Sequence, residues 1–174
     1  IAAADMPYQE TFETYPNGTA NYIDPCWYKM YASNTERSMY SYPYPADAAA
    51  IGGSARGLYF HGHNSGGISS YAVLPEFELP YSDLMLEFDL KRHGTTSYSS
   101  ILYLGIMTDP SDASTFSLIR SYDLSGRPAS SVEHYSISLE GLASHGRLAF
   151  FAPIPSGNNA QNHIYLDNVQ VSRL

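Results

Sequence analysis

The C-terminal run His163-Ile-Tyr-Leu-Asp-Asn-Val-Gln-Val171 places an ionisable carboxylate, Asp167, inside an otherwise apolar strand. Leu166 and Val169 are the expected core contacts. They lie three residues apart, so the two-residue side-chain period must break between them, at Asp167-Asn168. A carboxylate at such a break is expected to be buried, and an unpaired buried anion is too costly to keep. The chain offers few well-placed cations, which makes a bound metal ion the candidate partner.

The segment Glu10-Thr-Phe-Glu13 extends this reading. Phe12 is expected to point inward and to leave the Glu13 carboxylate available on the other face. Calcium takes about six to eight oxygen ligands from carboxylates and carbonyls, often from a glycine-containing loop whose backbone can turn inward. Glu13, the Gly52-Gly53-Ser54 loop and Asp167 supply such a set if the first and last strands meet. The competing reading is a pair of surface carboxylates satisfied by Arg56 or Arg173.

Other residue patterns point less far. No Gly-x-Ser-x-Gly elbow presents a nucleophilic serine. His61 and His63 flank Gly62 and could be two metal ligands, but outward positions of a strand are the simpler assignment. Glu87-Phe-Asp89 begins a glycosidase-like carboxylate series, yet Arg92 stands where the next glutamate belongs, so both acids read as a solvent face. Glu76-Phe-Glu78 fails in the same way. Asp109-Pro-Ser-Asp112 lacks the length and terminal glutamate of an EF-hand and reads as a turn capped by its own aspartate. The single cysteine, Cys26, excludes an internal disulfide and any multi-cysteine zinc site; beside Trp27 it is expected to be a buried thiol. Tyr40, Tyr42 and Tyr44, in a Pro-Tyr-rich loop, are candidate ligand contacts, because sugar C–H faces stack on aromatic rings. Packing flat over a sandwich edge is the alternative.

The elements that must position these groups are short strands separated by turn residues. They are expected near residues 8–13, 27–31, 57–62, 70–79, 84–90, 100–108, 115–122, 133–139, 147–151 and from 163 onward. Leu84, Leu86, Phe88 and Leu90 alternate with polar or flexible neighbours, the clearest half-buried strand in the chain. Stretches 32–51 and 153–161 read as long loops. The whole chain, 1–174, is expected to be one all-β domain, a two-sheet antiparallel sandwich of jelly-roll type.

Composition agrees. Charged residues make up 15% of the 174, below the roughly 25% of ordinary soluble domains, and tyrosine and serine take their place. Acidic residues outnumber basic ones 17 to 9, for a formal charge of −8. That argues against a nucleic-acid partner, since no basic stripe exists to displace counterions. No apolar run approaches the ~20 residues of a membrane span. The chain opens at Ile1 without methionine, and a piece of a longer multidomain protein is expected.

Several stretches, taken in order, resemble a known group. They are Glu10-Thr-Phe-Glu13, Asp24-Pro-Cys-Trp27, Gly53-Ser54 ahead of Gly57-Leu-Tyr-Phe60, Ala72-Val-Leu-Pro-Glu-Phe77, Leu84–Leu90, Leu104-Gly-Ile-Met-Thr-Asp-Pro110 with Thr115-Phe116, and Tyr165-Leu-Asp-Asn-Val169. This series resembles the jelly-roll modules of large surface and secreted proteins of Bacteroides-type bacteria. Those are related in pattern to gingipain cleaved adhesin domains and, more distantly, to MAM domains and calcium-containing carbohydrate-binding modules. The resemblance implies an exported, non-catalytic β-sandwich at the cell surface or outside a Gram-negative bacterium, with a structural calcium near the chain ends. It implies Glu13 and Asp167 as side-chain ligands, Ser54 as a carbonyl donor and Glu10 as a further acidic ligand. The function expected is binding or adhesion to a glycan or host surface component. The alternatives are a purely structural spacer and a hydrolase with two carboxylates facing an open groove.

Overall fold

The computed structural model describes residues 1–18, 26–32, 43–63, 69–142, 145–158 and 160–174. Eleven strands form among them: β1 (Tyr8–Glu10), β2 (Tyr28–Ala32), β3 (Tyr44–Ala46), β4 (Gly57–His63), β5 (Ser69–Val73), β6 (Leu84–Arg92), β7 (Ile101–Met107), β8 (Phe116–Asp123), β9 (Val132–Ser138), β10 (Arg147–Ala152) and β11 (Gln161–Arg173). They pair antiparallel into two sheets. One runs β3-β4-β11-β6-β9, with β1 also on β11; the other runs β2-β5-β10-β7-β8. The described residues contain no α-helix, only short 3₁₀ turns. This is the all-β, jelly-roll-type sandwich expected.

The core follows from period-two patterning. Along β6 every second residue is buried, and Leu84, Leu86, Phe88 and Leu90 are fully so. They face Leu102, Leu104, Leu148 and Phe150 of the second sheet within one apolar cluster. Phe88 meets Phe150 at 5.0 Å and Tyr122 at 5.2 Å between centroids, both edge-on, the arrangement aromatic quadrupoles favour.

Strand β11 positions the site. Its first half, 161–166, pairs with β4 on one side, and its second half, 169–171, pairs with β1 on that same side. β6 pairs along the other side from Ile164 to Arg173, with a register break between Asp167 and Gln170. Asn168 sits at φ 51°, in the left-handed region. Leu166 and Val169 are both fully buried on either side of the break. The bulge therefore falls where the three-residue spacing put it, and the first and last strands are neighbours.

Two local expectations are corrected. Residues 44–46, read as loop, form edge strand β3 on β4, in register Tyr44↔Tyr59; three residues with a central proline carry too little pattern to announce a strand. Cys26 is exposed while Trp27 is buried. Adjacent residues of an extended chain face opposite ways, so burying the indole turns the thiol outward. The 109–112 segment is the expected turn: the Asp109 carboxylate accepts from the Ser111 N–H at 2.9 Å and the Asp112 N–H closes on the Asp109 carbonyl at 3.1 Å.

Candidate functional site: an acidic junction and a tyrosine–imidazole face

The junction forms where β4 leaves the flank of β11 and β1 takes its place. Asp167 is fully buried there. Its Oδ2 accepts from the Ser54 hydroxyl at 2.7 Å and the Ile51 N–H at 3.3 Å, and its Oδ1 accepts from the Asn168 N–H at 2.7 Å. From the other side Glu13 grips the same loop, accepting from the Ala55 N–H at 2.8 Å and the Arg56 N–H at 3.5 Å. Gly52 and Gly53, at φ 62° and 89°, give the loop its turn; a side chain there would be strained.

No cation offsets this charge among the described residues. The Arg56 guanidinium pairs with Asp47 at 2.9 Å and reaches the Tyr15 carbonyl, and Arg173 donates to the Ala3 carbonyl at 3.0 Å. Burial accordingly pushes the Asp167 carboxyl up to about 6; its three hydrogen bonds oppose that rise, and the nearby Glu13 charge adds to it. Glu10 braces the turn instead, taking the Phe12 N–H at 2.6 Å and the Tyr15 hydroxyl at 2.7 Å. That brace accompanies the φ of 58° at fully buried Phe12, a conformation uncommon for an aromatic residue. Ser54 meets Asp167 through its hydroxyl. Among the described residues no three His, Cys, Asp or Glu side chains converge as a metal cluster, so any ion here must draw the balance of its ligands from backbone oxygens. Two carboxylates, a hydroxyl and a glycine loop form a hard-oxygen set, which suits calcium rather than zinc.

The second region is the outer face of the same sheet. Alternation turns Leu58, Phe60, Ile164 and Leu166 inward and places Tyr59, His61, His163 and Tyr165 on the opposite face, where Tyr59 and His61 are half-buried while His163 and Tyr165 are buried, Tyr165 against Ala46 and Ala49. Cross-strand register then aligns Tyr44, Tyr59 and Tyr165 in one row, continued by Lys91, with His61 and His163 in the next. Tyr59 lies 5.0 Å from both Tyr44 and Tyr165, centroid to centroid. His163 stacks on Tyr98 at 4.4 Å and on His61 at 5.4 Å, and meets His93 at 5.0 Å. Its Nε2 faces the Gln161 amide oxygen at 2.8 Å and its Nδ1 faces the Tyr59 hydroxyl. An amide oxygen only accepts, so Nε2 carries the proton and Nδ1 accepts from the tyrosine. Burial, then the charges of His61, His93 and His63, pushes His163 down to about 3. Burial raises Tyr165 to about 12, and raises Tyr59 further with help from neighbouring tyrosines.

Of the expected ligand contacts, Tyr44 belongs to this face, while Tyr40 and Tyr42 lie outside the described residues. His61 and His63 take the outward strand positions read from the sequence. Tyr59, His163, Tyr165, His93 and Tyr98 went unforeseen; the only signal was that Tyr59/His61 and His163/Tyr165 alternate with the apolar Leu58/Phe60 and Ile164/Leu166. Glu87 and Asp89 face outward, with His134 Nδ1 at 2.7 Å from Asp89, and that carboxylate raises the imidazole. A cleft of about 570 Å³ near Arg147 is lined by Phe77, Tyr81 and Glu76 among others. Two of its polar groups are engaged internally: Arg147 donates to the carbonyls of Leu74 and Cys26, and Tyr81 to that of Gly146.

No protein-family model matches the sequence, and no curated protein matches it. Solved structures do match. The K1 cleaved adhesin domain of Lys-gingipain from Porphyromonas gingivalis W83 is 18% identical, with 95% of this chain and 97% of that one covered and a TM-score of 0.67. The K3 domain of the same protein is 17% identical over 95% and 98%, at 0.63. The CBM22-1–GH10 modules of Clostridium thermocellum endo-1,4-beta-D-xylanase 10B, solved with xylohexaose, are 11% identical over 95% of this chain and 28% of that one, at 0.52. The chain is thus similar in fold to gingipain cleaved adhesin domains, as the ordered series of short motifs implied.

Proposed function

We propose that this chain is a non-catalytic extracellular binding module that takes a glycan or surface component on its tyrosine–imidazole face, its sandwich tied together by a structural calcium. The pair Tyr44–Tyr59 carries the reading, because it sets two half-buried rings about one strand spacing apart, held from behind by buried Tyr165. Sugar rings stack on such aromatic platforms, and His61, His63 and Gln161 stand beside it to meet hydroxyls. The fold shared with adhesin domains and with a protein solved bound to xylohexaose is compatible with it. At the junction, Glu13, Asp167 and the 51–56 loop would hold the ion. It would supply the positive charge that two converging acids lack, and would fix β1 and the loop against the bulge.

The test is a glycan array and polysaccharide pull-down with wild type and Tyr59→Ala. Binding that weakens about tenfold or more in the variant, equivalent to loss of one stacking contact of about 1–3 kcal/mol, supports the reading. Absence of any binding by folded, calcium-loaded protein would favour a structural spacer.

A further inference from the structure

The imidazoles on the outer face are packed more closely than a binding surface alone requires. His163 stacks on both Tyr98 and His61, with His93 tilted against it, and is buried. Both ring nitrogens are committed, one as donor to Gln161 and one as acceptor from the Tyr59 hydroxyl. A proton added to Nδ1 turns that acceptor into a donor. It then faces the proton of Tyr59, and one of the two groups must turn away.

The surroundings offer no anion to compensate. Among the described residues, the titratable and charged groups around His163 are Tyr44 from β3, Tyr59, His61 and His63 from β4, Lys91, Arg92 and His93 from β6 and its end, Tyr98 from the following loop, and Tyr165 on β11 itself. Every charge acting on His163 is another imidazole, and His93 is itself depressed by burial and by Arg92. Lys91 is spent on the Ala48 and Ala50 carbonyls at 3.0 and 3.1 Å. A second proton anywhere in the group therefore meets like charge across a stacked ring. Two rows of one sheet depend on this cluster, since Tyr59 joins the tyrosine row to the histidine row.

We infer that the His61–His93–His163 cluster is an acid-triggered latch: proton uptake breaks the Tyr59–His163–Gln161 chain, opens the aromatic face and releases what is bound there. The release step rests on the face being the ligand surface; the opening step does not. The sign is fixed by the direction of the shift. The closed face holds His163 below its ordinary 6.5, so the opened face binds the proton more readily. Closure is fully favoured above that value and loses ground as pH falls from there toward about 3.

Opening can be read without any ligand. Histidine and tyrosine ring resonances are followed by NMR from about pH 8 to about pH 4, across the histidine range. The emission of Trp27, the single tryptophan and buried in the core, reports global unfolding. The expected result is a concerted shift of the Tyr59, Tyr98 and Tyr165 signals in that range while Trp27 is unchanged. The shift is lost in His163→Phe, which keeps a ring but cannot take a proton, and moves to lower pH in His93→Gln. If His163→Phe does not fold, His93→Gln, at a half-buried site, decides alone. The latch is overturned if His163 titrates with no change in the tyrosines, if the shift survives in a folded His163→Phe or is unmoved in His93→Gln, or if the Trp27 signal moves with it. Persistent glycan binding at low pH alongside normal opening would remove the release step only, and absence of binding at any pH would count against the ligand surface.

Discussion

Asp167 and His163 lie four residues apart on one strand, both nearly excluded from water, and burial moves them in opposite directions. The carboxyl rises to about 6 and the imidazole falls to about 3, because removal from water penalises whichever form carries charge. Their surroundings then differ. Around Asp167 the backbone supplies donors, a second acid approaches and the loop geometry can turn oxygens inward, an arrangement that a cation would complete. Around His163 the partners are neutral rings and one amide, an arrangement that a proton would disrupt. Among the described residues, one half of β11 carries a buried carboxylate with no cation beside it and the other a buried imidazole with no anion beside it.

The largest expected effect breaks that contrast at the junction. Asp167→Ala takes the acceptor from the Asn168 N–H and leaves the Ile51 N–H and the Ser54 hydroxyl with only their second partners, the Ser54 oxygen at 2.9 Å and the Arg56 carbonyl at 3.2 Å, and should cost about 3 kcal/mol in calcium, read as a lowered Tm. Asp167→Asn sharpens it, since the amide keeps one acceptor oxygen and removes the charge. It should be milder than alanine in EDTA at pH 8 and clearly destabilising in calcium. Removing calcium from the wild type comes next. At a hundredfold excess over its dissociation constant a ligand that binds only the folded state contributes about 2.7 kcal/mol, so EDTA should lower Tm by a corresponding amount after equilibration.

A smaller effect tests the bulge itself. Asn168→Ala keeps a Cβ at φ 51° but loses the polar side chain that tolerates this conformation and its 2.8 Å hydrogen bond to Asp89, for about 1–2 kcal/mol, whereas Asn168→Gly, which relieves the strain, should lose less. Differential scanning calorimetry of the pair separates backbone strain from side-chain bonding. The smallest change concerns pH without calcium. A raised folded-state pKa means that Asp167 favours folding most below its ordinary 3.8 and loses that contribution as pH rises through about 6. His163 acts in the reverse sense over 6.5 down to 3. The calcium-free unfolding midpoint should therefore vary little between about pH 4 and 6, and Asp167→Asn should unmask a steady loss on acidification.

Much of the fold was legible because it rests on local pattern. Four apolar residues at alternate positions identified β6, and two apolar residues three apart located the bulge before any pairing was known. Meeting of the chain ends was also readable from the jelly-roll pattern, and β1 does pair with β11, although Glu13 falls in the turn after β1 rather than in the strand. The aromatic face was not, because it exists only across strands. Tyr59 and His163 are 104 residues apart, and neither type nor spacing says that β4 and β11 pair in the register that joins them. Strand β3 was hidden by its length and its proline, and the outward turn of Cys26 by a composition that suits burial equally well.

The most direct measurement is the carboxyl pKa of Asp167, by ¹³C NMR of labelled protein, in EDTA and in calcium, with His163 followed in the same samples. The account predicts about 6 for Asp167 without the ion, a fall to well below the ordinary carboxylate range with it, and a His163 titration that calcium leaves unmoved. An Asp167 titration that calcium leaves unmoved would contradict it.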